Sequence, residues 1–346
     1  MPAYISRPRT VFGAHKISTA EIVDDIRSHH AEHPRLGAIV RVVNNCGVRT
    51  RFFARPLQSP TVSGTADVGE RARATFQDAL DLAERAAAAA LDSAGLTALD
   101  IDAVITSHST GWSVPNLDVH LAGRLGLRPT VRRLALTTLA CAGGTQALIL
   151  AADHVTARPS AKVLVVGAEA ISGVYHHGDT SMQSMVYKVL FGDSASAAVV
   201  TSQPLTPGLA IEDSFEYLLP ESVDRYSGRI AADGFHFDST KEALTAADDV
   251  LPSLVTWLGP RHTDFPVIHP GSPRIIADTA AALGLSGVDA RHSTATLADE
   301  GNLGAPSVLR ILERTHDEPP APGSRGTMVA YGPGFTTAAL HGHWHG

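Results

Sequence analysis

Three residues in this chain have the types for nucleophilic chemistry: a thiol, an imidazole and a side-chain amide. Cys141 lies in TLACAGGTQAL, between an apolar run and a glycine-rich segment that reads as a helix start. A thiol at a helix N-terminus feels the positive end of the backbone dipole, which favours thiolate. Ala142, Gly143 and Gly144 are expected to leave room for a substrate to reach the sulfur. His269 lies in VIHPGSPRI, where the following Pro-Gly fixes its orientation at the end of a strand. Open α/β sheets place their sites at that end. Asn302 lies in EGNLGAPSV, again ahead of a helical pattern. Each residue alone has a plainer role: a buried structural cysteine, one of 17 histidines, a helix N-cap. Together they are a stronger signal of a catalytic site than any one of them. Cys46, in NNCGV, has no such setting and reads as structural.

The elements that must position these residues alternate. Helices read at Ala74–Leu91, Pro115–Leu127 and Gly143–Val155, and strands at Leu99–Ser107, Leu134–Leu139, Lys162–Gly167 and Ala195–Val200. This alternation predicts an α/β protein with parallel pairing. The second half repeats the first. Phe265–His269 is a strand followed by a Pro-containing turn, and Arg274–Leu285 a helix ending in LGL, as at Leu125–Leu127. GNLGAPSVLRIL from Gly301 matches CAGGTQALILAA from Cys141, and GTMVAYG matches KVLVV. An internal duplication follows, and packing the halves about a pseudo-twofold axis brings the Cys141 and Asn302 turns to the centre. Gln203–Gly208 reads as the link between halves, which span residues 1–202 and 203–346. His316–Arg325 reads as a surface loop, and the tail His341–His345 as a frayed terminus.

Composition narrows the class. With 346 residues, 44% of them hydrophobic and 18% charged, the chain can bury a large core. A net charge of −7 argues against nucleic acid as a partner. Two cysteines suit a reducing, cytoplasmic setting. Met1–Lys16 holds no apolar core of signal-peptide length. Leu134–Ala152 is free of charge, but its Gly-Gly-Thr-Gln centre reads as buried strand and helix rather than a membrane span. No HExxH or CxxC occurs, so no catalytic metal is expected. Phe191-Gly192-Asp193 and Gly332-Pro333-Gly334-Phe335 are not phosphate loops and read as tight turns lining a cavity.

From about Val43 to Leu340 the chain resembles the thiolase-fold condensing enzymes, most closely the type III (chalcone-synthase-like) polyketide synthases. The resemblance rests on TLACAGGTQAL, VLFGDSASAAVV, DGFHFD, HPGSPRII, EGNLGAPSV and YGPGFT, in that order. It implies a duplicated, five-layered αβαβα thiolase fold and a homodimer. It also implies that Cys141 takes an acyl group from a starter acyl-CoA, with His269 holding the thiolate by ion pairing. A malonyl-CoA-type extender is then decarboxylated with His269 and Asn302 as donors. CoA thioesters are substrates, and no metal or redox cofactor is needed. Phe191 and Phe235 match gatekeepers, Gly332 to Phe335 a pocket loop, and Arg49 and Arg51 loosely match CoA-phosphate contacts. Gly304 and Ala305 stand where Ser or Thr is usual, Val174 replaces a polar cavity residue, and Val114 a bulkier one that often reaches towards the partner subunit's cavity. Smaller, more apolar walls point to an aliphatic starter. The alternative is a ketoacyl-ACP synthase III-like enzyme with an ACP-borne substrate, although His269 lacks that group's HQAN-like setting.

Overall fold

The computed structural model describes residues 2–346; Met1 lies outside the described residues. Strands β1 (Ala3–Ile5), β2 (Arg9–Phe12) and β3 (His15–Ser18) lead into helices α1 (Thr19–His29) and α2 (Leu36–Asn44), strand β4 (Thr50–Phe53) and the long α3 (Val68–Ser93). Next come β5 (Ala103–His108), α4 (Leu117–Leu125), β6 (Arg132–Thr137), α5 (Gly143–Ala157), β7 (Val163–Glu169), α6 (Met182–Leu190) and β8 (Ser194–Thr201). The second half holds β9 (Gly208–Leu218), β10 (Tyr226–Ala231), β11 (Gly234–Ser239), α7 (Ala246–Leu258), β12 (Phe265–Ile268), α8 (Pro273–Ala282), α9 (Arg291–Glu300), α10 (Pro306–Asp317), β13 (Arg325–Tyr331) and β14 (Thr336–His345).

Local chemistry sets the boundaries. α3 starts before the expected Ala74 because Asp67 and Glu70 form a reciprocal capping box. α4 closes on Gly126, whose φ of +67° suits a residue without Cβ. α8 starts on Pro273, with Ser272 accepting from the Ile275 N–H.

The strand order β12-β13-β14-β9-β1-β8-β7-β5-β6 displays the duplication. Read outward from the centre, β1-β8-β7-β5 matches β9-β14-β13-β12. In each set the first two pairings are antiparallel and the last parallel. β1 joins the halves, since Tyr4 pairs with both Thr201 and Ala210. β6 has no partner in the second half, where α9 occupies that stretch of chain.

Strand alternation sorts side chains into layers. Val163, Val165, Ala198 and Val200 point inward with Met328, Ala330, Ala338 and Leu340, enclosing α5 and α10. Leu164, Val166, Ala197 and Val199 point outward onto α3 and α4. Val329 and Ala339 point outward onto α7. Helices, sheet, helices, sheet, helices: this is the expected αβαβα stack. The uncharged Leu134–Ala152 run is β6, a turn and α5, and α5 is a central-layer helix. No helix among the described residues is long and apolar enough to cross a membrane.

The tail departs from expectation. His341–His345 belongs to β14, which pairs with both β13 and β9. Trp344 is buried against Phe265 and His316, and that burial outweighs the freedom of a chain end. The β10–β11 hairpin was not anticipated either.

Candidate active site

Cys141 occupies a single 3-10 turn, Ala140–Ala142, directly before α5. The approach is strained: Thr138 and Ala140 hold φ of +63° and +43° without being glycine, each costing of order 1–3 kcal/mol. The turn is held from two sides. The Ala140 N–H donates to Ser109 Oγ at 2.9 Å. Gly332 lies so close that a Cβ there would sit 2.7 Å from the Leu139 carbonyl oxygen.

Gly143 and Gly144 serve a different purpose from the one expected. A Cβ on Gly143 would sit 2.0 Å from Ser107 Oγ, and one on Gly144 2.2 Å from the Ala305 carbonyl oxygen. The space beside these glycines is filled by protein, not kept for substrate. Gly143 lets β5 pack against the turn, and Gly144 lets the start of α10 approach the start of α5, which brings the Asn302 turn to Cys141.

His269 extends β12 by one residue, its N–H donating to the Val329 carbonyl at 2.9 Å. The Gly271 N–H then closes a tight turn on the His269 carbonyl, and Ser272 caps α8. Asn302 is held through its backbone. Its N–H donates to the Leu190 carbonyl (2.8 Å), and its carbonyl accepts from the Gly192 N–H (3.1 Å). The FGD and EGN motifs therefore interlock. Asp193 is a buried node rather than a cavity wall, accepting from the Ala54 N–H and from the N–H and Oγ of Ser172.

The three side chains meet. Asn302 Oδ1 accepts from the Gly304 N–H at 2.9 Å and faces His269 Nε2 at 3.0 Å. A backbone N–H can only donate, so this contact fixes the amide orientation. His269 Nε2 then carries its proton toward Oδ1, and Asn302 Nδ2 faces Cys141 Sγ at 3.7 Å. All three residues are buried. Burial pushes the Cys141 thiol up to about 12, against the hydrogen bond from Asn302, and nearby Glu169 pushes the same way. Burial holds the His269 imidazole down at about 4. Desolvation thus works against both charged forms of the expected thiolate–imidazolium pair.

The enclosed space over Cys141 is a cavity of about 10 Å³, room for a single water. Phe191 lines it with Phe237, Tyr226, Ile171, Glu169 and Gly304. The phenylalanine that meets Phe191 is Phe237, at 5.4 Å. Phe235 packs edge-on against Phe237 and lines a neighbouring cavity of about 270 Å³ with Ser109, Thr110 and Trp112. Glu169 was missed. Its Oε2 accepts from the Thr110 Oγ (2.9 Å) and the Ser109 and Thr110 N–H groups, and its buried Oε1 has no partner. Burial raises this carboxyl to about 7. A charged residue ending the strand KVLVVGAE was its signal.

Other expected site residues lie elsewhere. Arg51 is fully buried, donating to the Val189 and Ile17 carbonyls and Thr19 Oγ1, so its guanidinium is spent inside the protein and does not reach a surface where a phosphate could bind. Arg49 is exposed and paired with Asp299. Val114 is 80% exposed on this chain. Val174 is buried in the cluster around Phe191 and Phe237. Phe335 is buried against α7, and Pro333 and Gly334 form the turn carrying Gly332.

A buried Cys, His and Asn, delivered by corresponding turns of a duplicated five-layered fold, define a condensing enzyme of the thiolase class. The family "Chalcone and stilbene synthases, N-terminal domain" matches residues 27–204. The chain is 32% identical to 1,3,6,8-tetrahydroxynaphthalene synthase of Streptomyces coelicolor, over 99% of this chain and 92% of the relative. It is 29% identical to phloroglucinol synthase of Pseudomonas fluorescens, over 97% and 98%. The structure of germicidin synthase from Streptomyces coelicolor superposes with a TM-score of 0.94, at 32% identity, covering 99% of this chain and 100% of that one. The chain belongs to the chalcone and stilbene synthase family, and it is a type III polyketide synthase.

Proposed function

We propose that Cys141 loads an aliphatic acyl group from its CoA thioester and extends it with malonyl-CoA or a substituted malonyl-CoA. The product cyclises to a pyrone or phenolic ring, as part of secondary metabolism. The carrying observation is the Asn302 side chain, which touches both His269 and Cys141. Attack of the Cys141 sulfur on the starter thioester breaks the C–S bond to CoA, and the thiol proton passes to the departing CoA sulfur. As carbon dioxide leaves the malonyl unit, His269 Nε2–H and Asn302 Nδ2–H₂ turn from each other and from sulfur to the thioester oxygen. Preorganised donors there stabilise the enolate where its charge develops. The enolate attacks the acyl-Cys141 carbonyl, adding two carbons; the C–S bond breaks, and the departing Cys141 thiolate takes a proton from water to restore the thiol.

Apolar side chains over Cys141, those of Phe191, Phe237 and Ile171, support an apolar starter. Val114 gives this reading no support. Exposed Trp112 and Val114, on one loop, support a homodimer buried there; a sedimentation mass near 36.3 kDa would contradict it. Two free cysteines fit the reducing cytoplasm.

The test is mass spectrometry of products from purified enzyme, a panel of acyl-CoA starters and malonyl-CoA. Aliphatic starters should give Cys141-dependent rings, and Cys141→Ala should give none. Asn302→Ala should load normally but lose roughly 10²–10³ in decarboxylation. Turnover of aromatic starters alone would overturn the starter assignment, and activity only with malonyl-ACP would overturn the CoA extender.

A further inference from the structure

The loop after β7 and the turn of the β10–β11 hairpin meet at a second chemical cluster, away from the three catalytic side chains. His176 and His236 are both buried, 2% and 5% exposed. Asp233, in the hairpin turn, reaches both. Its Oδ2 lies 3.4 Å from His176 Nδ1 and its Oδ1 2.8 Å from His236 Nε2. One ligand atom from each residue lies within 4.8 Å of the others.

Three further observations turn this cluster toward a ligand. His176 Nδ1 is buried with no hydrogen-bond partner, an arrangement that costs free energy unless something fills it. Gly178 lets the Asp233 carboxylate approach His176: a Cβ there would sit 2.6 Å from Asp233 Oδ2 and 3.9 Å from His176 Nδ1. Asp179 faces the other nitrogen of His236, Nδ1, at 3.6 Å. In the ion-free cluster His236 Nε2–H donates to Asp233 Oδ1; an ion bound there would displace that proton and leave Nδ1–H facing Asp179, the usual carboxylate–histidine–metal order. The backbone is fixed too, since Lys188 Nζ donates to the His176 carbonyl at 2.5 Å.

We propose that His176, His236 and Asp233 bind a divalent cation of the zinc type, with water as the fourth ligand and Asp179 orienting His236. A tetrahedral ion with bonds of about 2.0–2.1 Å spaces its ligand atoms roughly 3.4 Å apart, the His176–Asp233 separation seen here. Imidazole and carboxylate ligands suit this class of ion. The site is structural. It pins the hairpin carrying Phe235 and Phe237 to the loop after β7, and so sets the aromatic wall of the Cys141 cavity without entering the chemistry.

A neighbouring group, Asp25, His29 and His177, supplies the internal comparison. There the His29 and His177 rings stack face to face at 3.8 Å, and His177 Nδ1 is engaged with His30 Nε2. Stacked rings direct their in-plane lone pairs side by side rather than at one point.

The test uses untagged full-length protein, stripped with chelator and titrated with Zn²⁺ against a chromophoric competitor. Co²⁺ absorption reports geometry. One ion per chain should bind, with an intense tetrahedral Co²⁺ spectrum and a raised Tm. Asp233→Asn, at a partly exposed position, should weaken binding at least tenfold. Asp179→Asn should weaken it about 10–100-fold. Gly178→Ala should abolish it, and His29→Ala should leave it intact. The proposal is overturned if the wild-type chain binds no Zn²⁺. It is equally overturned if Asp233→Asn and Gly178→Ala bind as tightly as wild type, or if binding is lost with His29→Ala instead.

Discussion

Gly144→Ala tests whether the site depends on the crossing of α5 and α10. The added Cβ would lie 2.2 Å from the Ala305 carbonyl oxygen and 2.9 Å from Val308 Cγ2. Both neighbours are buried, and one is backbone, so no flexible side chain can yield. To restore contact, the start of α10 must retreat by about 1 Å, and Asn302, three residues before Ala305, must move with it. Overpacking of this kind costs about 1–3 kcal/mol, enough to lower Tm by several degrees but not to unfold the chain. A displacement of about 1 Å in a reacting constellation costs on the order of 10²-fold in rate. The assay is CoA release from malonyl-CoA with the best starter, alongside thermal unfolding. Gly123→Ala on α4 is the control. Nothing lies within 4 Å of its added Cβ, so activity should hold while helix propensity adds up to about 1 kcal/mol of stability. If Gly144→Ala folds and turns over at the wild-type rate, the helix crossing does not set the Cys141–Asn302 geometry.

Two more predictions concern buried groups. Folded Glu169 keeps its proton up to about pH 7, whereas the ordinary value is 4.5. The unfolded chain releases that proton first, so this group's contribution to stability falls as pH rises from about 4.5 to 7. Glu169→Gln should remove that fall, so that its Tm gains on wild type across the window; parallel Tm–pH curves would contradict the assignment. Trp344→Ala should cost about 3–5 kcal/mol, as for other buried Trp deletions, measured by urea unfolding. A change below about 0.5 kcal/mol would return the tail to a frayed end.

What the sequence revealed depended on how locally each feature is encoded. Cys141, His269 and Asn302 were legible because each sits in a turn whose neighbours serve the same turn: Gly143 and Gly144, Pro270 and Gly271, Gly301 and Gly304. The duplication was legible because matching strands have matching neighbours. Contacts between distant segments were not. Arg51 looks like a surface cation beside Arg49, and only the packing of β4 against α6 shows its guanidinium spent on carbonyls. Phe235 and Phe237 lie on one face of β11, and choosing between them needs the position of the whole hairpin. Trp344 lies in a histidine-rich tail, and its burial depends on Phe265.

The duplication also bears on how a thiol held near 12 can react. Burial raises the cost of thiolate, but the same burial makes each fixed dipole near the sulfur count for more. α5 begins two residues after Cys141, and α10 begins four residues after Asn302. The glycine-lined crossing brings both helix starts to the same cavity, so two sets of N-terminal dipoles converge there. Substrate that displaces water and places its carbonyl oxygen between the Asn302 and His269 donors adds charge where those dipoles favour it. A single half could supply the nucleophile or the donor, but only the paired halves bring both to one point.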